Sequence, residues 1–288
     1  MSGVRTETAK TIQVVGMLCE GLGVRAIARL AGVEKKTVLN ILETAGAHCE
    51  QLLNERLQNV PVTDVQIDEV YSFVNCLQQN TEPGDLERGD QYMFLALDRA
   101  NKLILHWNIG KRDGDTTQTF LDGLKARING RFQLTSDGFQ LYTNGKHSVR
   151  SVFGNAVDYG IEIKHYAATN YGPYLSRREN PVKLQWIKRV TQIGSPNRAR
   201  MTVNHLERMN LSVRLFNRRF TRKTLGYSKI MRNHRCAVAL QIAHFNFCRT
   251  HSALKIKATE AEKAIERTPA MAAGITDHVW TVGESLAL

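Results

Sequence analysis

The chain has 288 residues, 42% of them apolar and 23% charged, with 39 Lys and Arg against 27 Asp and Glu and a net charge of +12. This length can bury a substantial core and suits two unequal domains, and the composition excludes a disordered or fibrous chain. No apolar run approaches the about 20 residues needed to cross a bilayer, and MSGVRTETAK lacks the apolar core of a secretory leader, so a soluble cytoplasmic protein is expected.

The five cysteines, Cys19, Cys49, Cys76, Cys236 and Cys248, are scattered and lack metal-type pairing. They read as small apolar residues in a reducing compartment. The distribution of charge says more than its sum. Between Arg177 and Arg235 stand sixteen Lys and Arg against two acids, Glu179 and Glu207, so the rest of the chain is slightly acidic. Charge this concentrated implies a polyanion against one surface, most simply double-stranded DNA, with a solvated basic face as the plainer alternative. The basic block carries no lipid-facing stripe, so no membrane partner is expected.

In chain order, residues 9–45 read as three short helices. The first holds Ile12, Val15, Met17, Leu18 and Leu22; the second is Val24–Ala31, broken by Gly32; the third contains Thr37–Leu42. Two helices joined by a short Gly-containing turn predict a helix-turn-helix, with Lys35, Lys36, Thr37 and Asn40 facing outward toward phosphates and base edges. The alternative is a trihelical module that binds protein. Residues 46–62 read as a helical linker ending near Pro61.

Strands follow. Val65–Tyr71 alternates at period two, Tyr92–Leu97 is a buried run, and Asp98–Asn101 turns the chain into Leu103–Trp107. Thr116–Ile128 reads as a helix, Phe132–Thr135 as a strand stopping at Ser136-Asp137-Gly138, about 145–154 as a helix and Ile161–His165 as a strand. This order predicts an α/β fold with a ribonuclease-H-like mixed sheet and flanking helices, preceded by a small all-α helix-turn-helix domain. The expected boundaries are 1–60 for the helical domain and linker, 61–260 for the catalytic domain, about 166–203 for a basic insertion, and 261–288 for a tail. A long helix starts near Thr202 or Val203, and a second covers about 233–249.

Cleavage and joining of phosphodiesters need an activated oxygen nucleophile and a stabilised leaving oxygen. Two Mg²⁺ ions about 3.5–4 Å apart on carboxylate ligands supply both, and Mn²⁺ can substitute. Three acids are suitably placed. Asp68 lies mid-strand, Asp137 ends a strand before a glycine, and Glu207 sits alone among cations on a helix. Leu206, Met209, Val213, Phe216 and Phe220 define that helix's buried stripe, with Glu207 at its edge and Asn210 and Arg214 on its line. Arg208, Arg218, Arg219, Arg222 and Lys223 populate exposed faces, and with Asn210 and Arg214 they are expected to grip DNA. Alternatives stand beside each acid: Glu69 as ligand in place of Asp68, Asp137 as a turn former, and Glu207 paired with Arg208 or Arg214.

At these residues the chain resembles the insertion sequence one family of Asp-Asp-Glu transposases. The resemblance rests on Gln66–Val74, Thr135–Tyr142, Asn204–Arg214 continuing through Asn217–Thr224 to Tyr227–Lys229, and Phe245–Leu254. It implies that Asp68, Asp137 and Glu207 are the catalytic and metal-holding triad of a bacterial, nucleoid-associated transposase. Such an enzyme binds terminal inverted repeats and target DNA and works as a dimer or larger assembly. Tyr71 stands where the family commonly has Trp, and the Cys-rich segment of better-known members is missing. Two other readings are a DNA-binding regulator with an inactive nuclease-like domain and a general ribonuclease-H-like nuclease.

Overall fold

The structure, a computed structural model, describes residues 6–167, 183–221, 224–257 and 264–287. Helices α1 (Thr8–Cys19), α2 (Val24–Ala31) and α3 (Lys35–Arg56) open the chain. Gly32 joins α2 to α3 at φ 65°, in the left-handed region that glycine enters without steric cost. The turn closes as the Val33 N–H donates to the Ala28 carbonyl.

The third helix is longer than the short one expected: α3 runs unbroken for 22 residues and takes in most of the expected helical linker at 46–62. Its apolar stripe explains why. Val38, Ile41, Leu42, Ala45, Cys49 and Leu53 recur every three or four residues and are all buried. This stripe packs on α8 (Met231–Ala243). Gly46 permits the approach, since a Cβ there would overlap the Cβ, Cα and carbonyl oxygen of Cys236. One continuous hydrophobic core therefore runs from Val14 through the sheet to Leu286. The change near residue 60 is one of secondary structure, with no break in packing.

Strands β1 (Val60–Pro61), β2 (Asp64–Val74), β3 (Gly89–Asp98) and β4 (Ile104–Gly110) come next, followed by α4 (Gly114–Arg127), β5 (Ile128–Asn129) and β6 (Phe132–Ser136). The expected helix at 145–154 is instead two short pieces, α5 (Gln140–Thr143) and α6 (Val149–Phe153). Strand β7 (Val157–Tyr166) is joined by β8 (Leu184–Ile193), which occupies part of the expected insertion; residues 168–182 of that insertion lie outside the described ones. The six-stranded sheet has the order β4-β3-β2-β6-β7-β8. β2, β3 and β4 are antiparallel, β2, β6 and β7 are parallel, and β8 runs antiparallel to β7 at the edge. β1 and β5 form a separate two-residue parallel pair.

Helix α7 (Asn204–Phe216) is shorter than expected, and α8 ends at Ala243 in a wider helical turn over His244–Cys248. Leu206, Met209, Val213 and Phe220 are buried as predicted, while Phe216 is half-buried. The expected tail folds back through α9 (Pro269–Ala272) and α10 (Val282–Ser285). Trp280 stacks on Phe247 at 4.7 Å, and its N–H donates to the Phe247 carbonyl at 3.0 Å. Of the cysteines, Cys19, Cys49 and Cys236 are buried and Cys76 and Cys248 half-buried, and all five are free thiols. Among the described residues no helix is long and apolar enough to cross a membrane.

The α3–α8 contact gives a stability prediction. Gly46→Ala should lower unfolding free energy by about 1–3 kcal/mol, because the backbone of Cys236 cannot yield cheaply. Gly16→Ala, in α1 with nothing within 4 Å of its added Cβ, should raise it by about 0.5–1 kcal/mol through helix propensity. Denaturant titrations of both variants measure the contrast.

Candidate active site

Alternation along β2 points Gln66 and Asp68 to the same face, and α7 lies on it. Gln66 Oε1 accepts the backbone N–H of Leu206 at 3.0 Å, satisfying a first-turn donor that the helix itself leaves without a partner. One turn further, Asn210 Nδ2 donates to Asp68 Oδ2 at 2.7 Å. Asp68 Oδ1 accepts the Glu69 N–H at 2.8 Å. Asn210 is thus buried against the sheet, not on a DNA-facing surface as its helical position suggested. Glu69 faces the opposite way. Its Oε2 accepts from Arg112 Nη2 at 3.1 Å, and the buried Tyr142 hydroxyl lies beside it. Arg112 in turn covers the ring of Phe139 at 4.1 Å.

Asp137 follows the carboxyl end of β6, the parallel neighbour of β2. Its Oδ1 accepts the Phe139 N–H at 2.9 Å, so it does form the turn that the simpler reading proposed. It also faces the β2 carboxylates electrostatically. Burial, then the charge of Asp137 and more weakly that of Glu207, pushes Asp68 up to about 6, against the opposing bonds from the Glu69 N–H and Asn210. Burial and the charges of Asp137 and Asp68 push Glu69 up to about 7, with the Tyr142 hydroxyl and Arg112 opposing. Acids far apart in sequence therefore share one field.

Glu207 stands in the first turn of α7 with its side chain 46% exposed. Its Oε2 accepts from Lys164 Nζ of β7 at 2.6 Å. An ion pair at Glu207 was one sequence-based alternative, but with Arg208 or Arg214 as the partner. Among the described residues, no three His, Cys, Asp or Glu side chains are grouped so that they could hold a metal ion. The hard carboxylate oxygens suit Mg²⁺, yet Asp68, Asp137 and Glu207 do not close around one position.

The sequence reading missed the support beneath this site. Glu162 on β7 is 1% exposed and takes Arg189 of β8, its direct cross-strand partner, at 3.0 and 3.3 Å. Its other oxygen accepts from the Thr202 hydroxyl at 3.2 Å and the Val203 N–H at 3.4 Å, fixing the approach to α7. Lys164 Nζ also donates to Asn204 Oδ1 at 2.7 Å. The signal was available, because Glu-Ile-Lys in an apolar strand places both charged residues on one face.

A second candidate surface lies on the first helices. Arg25, Arg29, Lys35 and Lys36 line an open groove between α2 and α3 together with Ala28, Val33 and Glu34. Lys35, Lys36 and Asn40 are exposed and Thr37 is half-buried; the two arginines were not anticipated. Arg208 and Arg218 are exposed, and Arg214 is half-buried. Arg219 corrects its expected outward face. Its Nε is buried, and burial pushes its guanidinium down to about 10, close enough to His234 to depress that ring as well. Arg222 and Lys223 lie outside the described residues.

No protein-family model matches the chain, and no curated protein does. Among solved structures it is similar to the Mos1 transposase paired-end complex with the left transposon end, at 15% identity and TM-score 0.24, covering 55% of this chain and 60% of that one. It is similar to the Mos1 mariner paired-end complex with Mn at 14% identity and TM-score 0.22, covering 52% and 56%. The piggyBac transposase synaptic complex with hairpin DNA gives 9% identity and TM-score 0.40, covering 82% and 65%. The chain thus spans about 60% of the Mos1 chain in the first of these. Overlaps this loose leave the chain's own side chains to carry any function.

The crowded carboxylates predict a pH-dependent stability gain. A raised carboxyl pKa means the fold binds more protons than the unfolded chain between about pH 4 and 6, so the ionised Asp68 opposes folding above that window and not below it. Asp68→Asn should therefore stabilise the metal-free protein at pH 8 by on the order of 2 kcal/mol. The gain should vanish by about pH 4. Denaturant titrations at the two pH values measure it, and an equal effect at both would show that burial and the neighbouring acids do not raise the Asp68 carboxyl.

Proposed function

We propose that this chain is an Asp-Asp-Glu DNA transposase of the kind its sequence resembles, performing metal-dependent strand cleavage and strand transfer. The observation that carries the reading is the shared electrostatic field of Asp68 and Asp137, from neighbouring parallel strands, with Glu207 on a helix pinned to the same strand. In this reading Asp68, Asp137 and Glu207 hold two Mg²⁺, or Mn²⁺, which would activate a water or 3′-hydroxyl oxygen and stabilise the leaving oxygen.

The chain's own residues have separable tasks. Asn210 and the Glu69 N–H orient the two oxygens of Asp68. The groove lined by Arg25, Arg29, Lys35 and Lys36, with Thr37 and Asn40, engages terminal inverted repeats. Arg208, Arg214 and Arg218 contact the phosphates of the duplex at the catalytic face. Joining two element ends to a target calls for at least a dimer on DNA, and a bacterial, nucleoid-associated location goes with that role.

One observation favours a second reading, a DNA-binding regulator whose nuclease-like domain is inactive: Glu207 is committed to Lys164, and among the described residues no three-acid group forms. Nicking of a terminal-repeat duplex in Mg²⁺ separates the two. Asp68→Asn and Asp137→Asn should each slow it by about three orders of magnitude, roughly 4 kcal/mol of transition-state stabilisation, with DNA affinity unchanged. Lys35→Ala combined with Lys36→Ala should instead weaken binding and reduce the slope of log K against log salt by about two. Full nicking by Asp137→Asn would overturn the triad. Equal nicking in the presence of unrelated competitor DNA would point to a general nuclease.

A further inference from the structure

Lys164 is a mostly enclosed cation beside the active site for which the proposed chemistry has no use. Its side chain is 13% exposed, and its Nζ meets Glu207 Oε2 at 2.6 Å, Asn204 Oδ1 at 2.7 Å and Glu162 Oε1 at 3.7 Å. Two oxygens accept hydrogen bonds from the ammonium group, and the third lies within ion-pair range. Glu162 does not depend on this lysine, because Arg189 grips its other oxygen through two nitrogens and Thr202 and Val203 donate to the one nearest Lys164. What Lys164 changes is the position of Glu207, a half-exposed carboxylate on a helix whose place is already fixed by Gln66 and Asn210.

We propose that Lys164 is a cationic latch for the site: it holds the Glu207 carboxylate in place of a divalent metal ion, and metal loading requires Glu207 to exchange one cation for the other. This rests on the metal-dependent reading above and concerns how that site is regulated. The latch explains why the three acids do not gather, although Asp68 feels the charges of both Asp137 and Glu207. It can also open without stranding a charge, since a released Lys164 keeps Asn204 and Glu162 as acceptors. A site whose third ligand is engaged elsewhere binds metal more weakly by the fraction of time that ligand is free. Removing the latch should therefore tighten metal binding, whereas a lysine that merely orients Glu207 toward the metal would weaken it when lost.

The test is Mn²⁺ binding to the full chain by titration calorimetry, with Asp68→Asn and Asp137→Asn as controls. Lys164→Met should bind Mn²⁺ about tenfold more tightly than wild type. Lys164→Gln, a polar replacement in case the apolar variant folds poorly, should move in the same direction. The gain should disappear when Glu207→Gln is added to either. If wild type binds Mn²⁺ through Asp68 and Asp137 while both lysine variants bind equally or more weakly, the latch is wrong and the metal site stands. If none of the proteins binds Mn²⁺ through these aspartates, the metal site and the latch fall together.

Discussion

Helix α7 is held on strand β2 by two side-chain bonds, Gln66 to the Leu206 N–H and Asn210 to Asp68, and the rest of the site takes its geometry from them. Both bonds span about 140 residues of sequence, so they join the start of the sheet to a helix made much later. Closing so long a loop costs conformational entropy that local structure cannot offset. The buried stripe of α7 supplies the offset, with Leu206, Met209 and Val213 in the common core. Polar bonds then set the register that apolar packing alone leaves loose. Glu162 repeats the arrangement from the other side, tying the residues before α7 to β7 and β8.

This frame brings like charges together, which is costly in the absence of a counter-ion. Asp68 and Glu69 occupy opposite faces of β2, yet each is pushed upward first by burial and then by the charge of Asp137. Arg112 and Tyr142 relieve Glu69, and Asn210 relieves Asp68 only by hydrogen bonding. Repulsion of this kind would be relieved by a bound cation or cationic ligand. Exposed cations line the groove between α2 and α3, and Arg208 is exposed on α7.

Much of the sheet was legible because its strands announce themselves by period two or by short apolar runs between turn residues, as in Val65–Tyr71 and Tyr92–Leu97. The hairpin after β3 was legible for the same reason. Asp98 accepts the N–H groups of Ala100 and Asn101, a local bond that sequence alone suggests. Strand β8 was hidden, since Leu184 to Lys188 are all exposed and carry no inward-facing alternation. The continuity of α3 was only half legible: residues 46–62 read as helical, but their packing on α8 depends on Cys236 lying against Gly46, far along the chain. Among site residues, Asp68, Asp137 and Glu207 could be named from type and placement. The partners that decide their behaviour could not, because Asn210 lies 142 residues from Asp68, and nothing local ties Lys164 to Glu207, 43 residues on. Arg219 was misread because its outward position ignored the later chain around His234.

The central claim is that Asp68, Asp137 and Glu207 converge on bound divalent metal. Replacing Mg²⁺ by Fe²⁺ and generating hydroxyl radicals at the ion would cut the backbone wherever the metal sits, and mass spectrometry of the fragments would locate the cuts. The account predicts cleavage clustered near residues 68, 137 and 207, suppressed by excess Mg²⁺ and lost in Asp68→Asn. Cuts confined to other segments, or a chain left uncut while Fe²⁺ in the sample generates radicals, would contradict it.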